Sequence, residues 1–263
     1  MKHRWMTVVG AAAGLALASS AFSQPTSAPA TGPWVGAQTL QTQEISKLRS
    51  GGIRALAPDT AAIEAALAAA PHTNGVEAGG QVIVLADGSA QALVAMTMAT
   101  QKDSPWAGRS VSAVADPYPF LALLLGSYYD EIDRPAEALR VLDEGLSLPS
   151  ETGLFPGQMK PSLLTERGAA LVALHDWPRA LEAYEAGLAL PNLRDANRAK
   201  LLRGRGMALT ELGRLDDAEG AYDDSLKIEP SNPTALHELA YIARLRAGAP
   251  KAATALKSVQ PAS

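Results

Sequence analysis

Four positions recur in a fixed order along the second half of this 263-residue chain. A small residue is followed twelve later by a second small residue, then four later by an apolar or aromatic one, then three later by a small one. Gly168, Ala180, Tyr184 and Gly187 fit this rule. So do Gly206, Ala218, Tyr222 and Ser225, and so do Gly126, Ala138, Leu142 and Gly145. Ala240, Ala252 and Leu256 make a partial fourth match. The first members lie 42, 38 and 34 residues apart. Small residues at such spacing suit two antiparallel helices joined by a tight turn, because backbones that cross closely leave no room for a side chain. Gly168 and Ala180 sit at the expected crossing, and Tyr184 fills the space beside it. Gly187 is expected where the second helix meets the next unit. Pro230 ends a helix, since the residue before a proline is pushed out of the α region. Asp133-Arg134-Pro135, Asp176-Trp177-Pro178 and Leu212-Gly213-Arg214 read as the turns, with both prolines suited to a first helical turn.

The 34-residue interval, with Gly, Ala, Tyr and a closing Pro at set offsets, resembles the tetratricopeptide repeat. The resemblance covers roughly half of the chain. It implies a mostly α fold: an α-solenoid of helix pairs, with units at about 119–152, 161–194, 199–232 and 233–260. Leu164 and Leu202 stand where the family has Trp, and Arg167 and Arg205 occupy positions that are usually apolar. Two connections are overlong, Pro149 to Lys160 and Pro191 to Arg198, both between units where insertions are tolerated. The resemblance further implies a protein or peptide partner, held on the concave surface lined by the first helix of each unit. In that register the groove-facing residues are Ser127 and Asp130, then Thr165 and Ala169, then Lys200, Arg203 and Met207, then His237, Tyr241 and Arg244. The basic members gather toward the C-terminal end, which favours an acidic segment. The carboxylate-clamp subfamily needs Asn on these faces; Ala169 and Gly204 stand there instead, so that ligand is not implied.

The N-terminal half reads differently. Lys2, His3 and Arg4 precede an uncharged run, Met6 to Ala18, and Ala21-Phe22-Ser23 offers small residues for cleavage before Gln24. This is the pattern of a signal peptide over residues 1–23 and predicts an exported, periplasmic or secreted bacterial protein. A Pro/Ser/Thr/Ala linker is expected to run through residues 24–40 without order. Residues 41–116 form a small α/β segment: helices over Thr42–Arg49 and Asp59–Ala70, a strand over Gln81–Ala86, a helix over Ser89–Thr100 and a strand over Val111–Ala115. Leu93, Met96 and Met98 are expected to pack in its core beside Trp106. The segment is expected to cap the repeat array, whose ends need covering.

Chemistry is sparse. The hydrophobic content is 47% but only 5% is aromatic, and the net charge of -4 gives no basic footprint for nucleic acid. There is no cysteine, which removes disulfides, thiolate metal sites and cysteine nucleophiles. His237-Glu238 begins like a zinc-protease motif, but Tyr241 stands in place of the second His. Arg203-Gly204-Arg205-Gly206 lacks the preceding strand and the third glycine of a nucleotide loop. Asp216-Asp217 and Asp223-Asp224 read as a solvated face. The expectation is a non-enzymatic scaffold or adaptor with no cofactor, no metal and no membrane span after cleavage, open to self-association. The rival is an enzyme or small-ligand site in residues 34–116, where Asp87, Asp103 and Asp116 are the available acids.

Overall fold

The computed structural model describes residues 32–73, 75–152 and 157–248. Helix α1 (Pro33–Gly51) and a 3₁₀ turn (Ile53–Asp59) lead into α2 (Thr60–Ala68). A three-stranded sheet follows, β1 (Gly75–Ala78), β2 (Gln81–Ala86) and β3 (Val111–Ala115), with α3 (Ser89–Met98) between β2 and β3. Strands β1 and β2 are antiparallel across Gly79-Gly80, both with positive φ, as a two-residue hairpin requires. Strands β2 and β3 are parallel, so the expected βαβ unit is present. Eight further helices follow: α4 (Tyr118–Glu131), α5 (Pro135–Ser147), short α6 (Pro149–Thr152), α7 (Lys160–Ala173), α8 (Trp177–Leu188), α9 (Asp195–Glu211), α10 (Leu215–Ile228) and α11 (Pro233–Arg246).

The small-residue rule has a direct steric cause. A Cβ built on Gly126 would lie 2.6 Å from Leu142, one on Gly168 2.5 Å from the Tyr184 ring, and one on Gly206 2.8 Å from the Tyr222 ring. The first and third members of each motif therefore touch across the helix pairs α4/α5, α7/α8 and α9/α10. Ala138, Ala180 and Ala218 are fully buried at the same crossings. The fourth member faces the next unit: a Cβ on Gly187 would meet Leu201 at 2.6 Å. Tyr184 is held on a second side by Gly204, which has no room for a Cβ either. The turns repeat as well, with Asp133, His175 and Gly213 in the left-handed region at φ 64, 60 and 76. Arg167 and Arg205, unusual by family pattern, have a shared role. Arg167 reaches back to Asp143 on α5 at 2.6 Å, and Arg205 to Glu185 on α8 at 3.1 Å. Each ties a first helix to the preceding second helix. In the fourth unit Ala235 and Ile242 are buried 34 residues after Leu201 and Ala208. Ala240 is exposed, and Ala252 and Leu256 lie outside the described residues.

The N-terminal segment covers the first unit. Strand β2 is buried on both faces. Ile83 and Leu85 join Trp34, Leu56, Ile63, Leu121 and Leu142 in one core, while Val82 and Val84 pack with Ala95 and Trp106. Helix α4 is buried nearly all round, as a helix apolar on every face must be. Three expectations need correction. The linker cannot extend to residue 40, because α1 begins at Pro33, with proline suited to a first turn and Trp34 and Ala37 anchored in the core. The same helix replaces the short one expected over Thr42–Arg49. Leu93 and Met96 are 67% and 53% exposed, because the crossover helix rests on the sheet through Ala92 and Ala95. Strand β1 was not foreseen. Residues 1–31 and 249–263, on which the expected signal peptide and the expected second half of the fourth unit fall, lie outside the described residues.

The overlong connection after α5 has a specific seat. It packs on the C-terminal ends of the parallel strands, where Asp87 follows β2 and Asp116 follows β3. Met159 N–H donates to Asp87 Oδ2 at 2.7 Å, and Gln158 N–H to the Asp87 carbonyl at 3.0 Å. Gln91 donates to the Ser150 carbonyl, and Lys160 to the Glu151 carbonyl at 2.5 Å. Glu151 is fully buried, and its carboxyl and that of Asp87 both converge on Gly157, where a Cβ would overlap them. Two adjacent buried carboxyls cannot both ionise. Burial first, then the Asp87 charge, raises the Glu151 pKa far above the usual range. Burial likewise raises Asp116 to about 6, against the pull of the Tyr118 N–H at 2.9 Å. Asp103 is exposed and stands apart. Two of the three acids singled out in the sequence thus help join cap to repeats, with Glu151 as their unforeseen partner.

Two outcomes follow for stability. Gly168→Ala forces Tyr184 from its slot and costs about 1–3 kcal/mol. Gly220→Ala, on open helix surface with nothing near the new Cβ, gains about 0.5–1 kcal/mol. Urea unfolding of both variants checks the opposite signs. Glu151 and Asp116 bind protons more tightly folded than unfolded, so their contribution is full below the unfolded carboxyl values and lost as pH rises through the folded ones. Tm therefore falls between about pH 5 and about pH 9, and Glu151→Gln flattens the alkaline part of that fall.

Candidate peptide-binding groove

The first helices of the units, α4, α7, α9 and α11, lie side by side in sequence order. Their shared face results from the glycine crossings on the opposite side, Gly126 on Leu142, Gly168 on Tyr184 and Gly206 on Tyr222, which hold α4, α7 and α9 to their second helices. Residues on the free side of this row contribute little to packing and set what the groove can hold.

Lys200, Arg203 and Met207 are half-buried on α9. Arg203 donates to Glu229 at 2.7 Å, and Glu229 also accepts from Asn232 at 2.8 Å. That guanidinium is therefore engaged at the turn between α10 and α11. His237 and Arg244 are exposed on α11, and the Arg244 guanidinium stands 5.8 Å from the centre of the half-buried Tyr241 ring. A stacked Arg–Tyr pair gives the C-terminal end a cationic surface with an aromatic backing. Thr165 and Ala169 are half-buried on α7, and the Thr165 hydroxyl donates to the Pro161 carbonyl at 2.8 Å. Ser127 departs from its expected position: it is 1% exposed, among the buried residues of α4, and does not reach the surface of the groove.

The N-terminal end of the groove is acidic. Asp130, half-buried on α4, has its pKa raised by burial and by the neighbouring Glu131 and Asp133 charges. Glu166 on α7 was not among the expected groove residues. It lies two positions before Gly168, where the third unit has Gly204, so comparing the units at that position would have flagged it. Burial and the Asp130 charge raise its pKa to about 7, and the Lys200 ammonium opposes the shift. The Tyr184 pKa is raised by burial and by the Glu166 and Asp130 charges. The groove thus grades from acidic at α4/α7 to basic at α11.

His237 Nδ1 lies 3.3 Å from Glu238 Oε1, on adjacent residues. Among the described residues no group of three or more His, Cys, Asp or Glu is placed to hold a metal ion, and no helix is long and apolar enough to cross a membrane.

Comparison with known proteins locates the repeat independently. The family described as tetratricopeptide repeat matches residues 199–242, the third unit and most of the first helix of the fourth. No curated protein matches the chain in sequence. Among solved structures it is similar to the first TPR domain of the human RPAP3 protein, at 24% identity and TM-score 0.43, covering 50% of this chain and 94% of that one. A structure of the first TPR of Spaghetti (RPAP3) bound to the HSP90 peptide SRMEEVD is 25% identical with TM-score 0.43, covering 49% and 94%. The MamA RS-1 ArsTM double mutant is 14% identical with TM-score 0.46, covering 80% and 85%. The family match falls on the same helices whose Gly206–Tyr222 contact sets the spacing, and that spacing recurs from α4 onward. The chain thus carries a tetratricopeptide repeat at residues 199–242, and the same glycine crossing recurs at Gly126 and Gly168.

Proposed function

We propose that the chain is a non-enzymatic, exported scaffold that holds an extended segment of a protein partner along the face of α4, α7, α9 and α11. The observation that carries this reading is the division of labour on the first helices. Their glycines and apolar residues pack inward, while Asp130, Glu166, Lys200, Tyr241 and Arg244 remain on or near the free face. A row of parallel helices with graded charge fits an extended segment, and its end-to-end polarity would fix the direction in which the segment lies. Export rests on the sequence pattern of Lys2 to Ser23. Asp87 and Asp116, the acids on which an enzyme reading of residues 34–116 depended, are supported better as the joint between cap and repeats.

A photoreactive amino acid at Met207 or Tyr241 is expected to capture a partner in cells, while one at Asp223 on the outer helix α10 captures none. Equal capture from all three positions would contradict a groove. Mass measurement of the mature protein is expected to begin at Gln24; a chain retaining Met1 and its signal segment would contradict cleavage.

A further inference from the structure

The acidic end of the groove has an unmet chemical need. Asp130 and Glu166 stand on neighbouring first helices, α4 and α7, both half-buried. Neither side chain has a hydrogen-bond or ion-pair partner among the described residues. Tyr184 lies beside them, 4% exposed, with its ring fixed between Gly168 on α7 and Gly204 on α9. Its hydroxyl feels both carboxyl charges and is likewise without a hydrogen-bond partner among the described residues. Lys200 on α9 is the cation whose field reaches Glu166, and it makes no ion pair there. Half-buried carboxyls without protein donors have only water to satisfy them, and a ligand that brings its own charge and donors can take the place of that water. A guanidinium or ammonium matches the deficit: it carries the missing charge and several N–H donors, and a tyrosine oxygen can accept as a carboxylate does.

We propose that Asp130, Glu166 and the Tyr184 hydroxyl form a receptor for one Lys or Arg side chain of the partner segment. The proposal rests on the groove reading and adds a chemical identity to it. The graded charge sets the rest of the segment: a cation at the α4/α7 end, with acidic residues toward Arg244 on α11. The receptor is also sensitive to pH. Burial first, then the Asp130 charge from α4, raises Glu166 to about 7 against the Lys200 ammonium from α9, and Glu166 in turn acts on the Tyr184 hydroxyl from α8. Cation binding therefore strengthens as pH rises through that value and fades below it.

The test uses the full chain and three blocked alanine peptides, carrying a central arginine, norleucine or glutamate, titrated while amide resonances are followed. The arginine peptide is expected to give saturable shifts at Asp130, Glu166 and Gly204 at about pH 8. Binding is expected to weaken by about tenfold or more in Glu166→Gln and in Asp130→Asn, and in the wild type at about pH 6. The norleucine and glutamate peptides are expected to leave those resonances unmoved. Equal shifts with norleucine, or undiminished arginine binding in both variants, would overturn the receptor. Partner capture from Met207 separates this failure from that of the groove. If the capture persists while the arginine peptide fails, the receptor alone is wrong; if both fail, the groove reading falls with it.

Discussion

The close approach of paired helices at Gly126, Gly168 and Gly206 is the constraint on which the rest depends. Each glycine lets a bulky partner, Leu142, Tyr184 or Tyr222, lie flat against a helix backbone. That contact fixes the separation and angle of a pair, and the next small position, as at Gly187, fixes the following pair. Stacked units then bury a continuous core without long-range chain crossings, and the architecture is a sum of neighbour contacts. Because packing uses one side of α7, α9 and α11, their other side is left to vary, whereas α4 is covered by the cap and leaves only its C-terminal end around Asp130 open. Tyr184 connects the two roles: its ring belongs to the packing code, and its hydroxyl lies by the two carboxyls at the groove's acidic end.

A stack of this kind exposes apolar surface at its ends, and the N-terminal end is closed by the α/β segment. Ile83, Leu85, Trp34 and Ile63 share one core with α4 and α5, so the sheet acts as a lid on the first unit rather than as a separate body. The connection from α5 to α7 strengthens the joint by placing Glu151 and Met159 on the strand ends. An inserted loop, which would otherwise loosen the stack, instead fastens cap to repeats. Its acid pair holds a proton because burial first, and then the mutual repulsion of the two carboxyls, disfavours the doubly charged form.

Much of this was legible in the sequence. Glycine positions, alanine positions and turns follow from backbone sterics, which depend on local residue size and are therefore written in the letters. The βαβ unit was visible for the same reason, through a β-branched run and a helical pattern. Side-chain direction within the cap was not: Leu93 and Met96 fit a packed face by hydropathy, but which face meets the sheet is decided by the crossover, and small Ala92 and Ala95 won. Trp34 sits in a Pro/Thr-rich context that reads as linker, and only its tertiary slot explains α1. In the groove, exposed positions carry no periodic signal. Ser127 was misplaced because α4 is buried on nearly every side by the cap, and Glu166 was missed because its meaning depends on Asp130 from another helix. Arg167 and Arg205 seemed to break the family pattern until their partners, Asp143 and Glu185, were located one helix back.

The central claim is that packing and recognition divide between the two sides of the first helices. Amide hydrogen exchange on the full chain, alone and saturated with a partner captured through Met207, tests it most directly. The account predicts that added protection appears on α4, α7, α9 and α11 and leaves the outer surfaces of α5, α8 and α10 unchanged. Protection centred on the second helices, or on the exposed α3 surface around Leu93 and Met96, would contradict it.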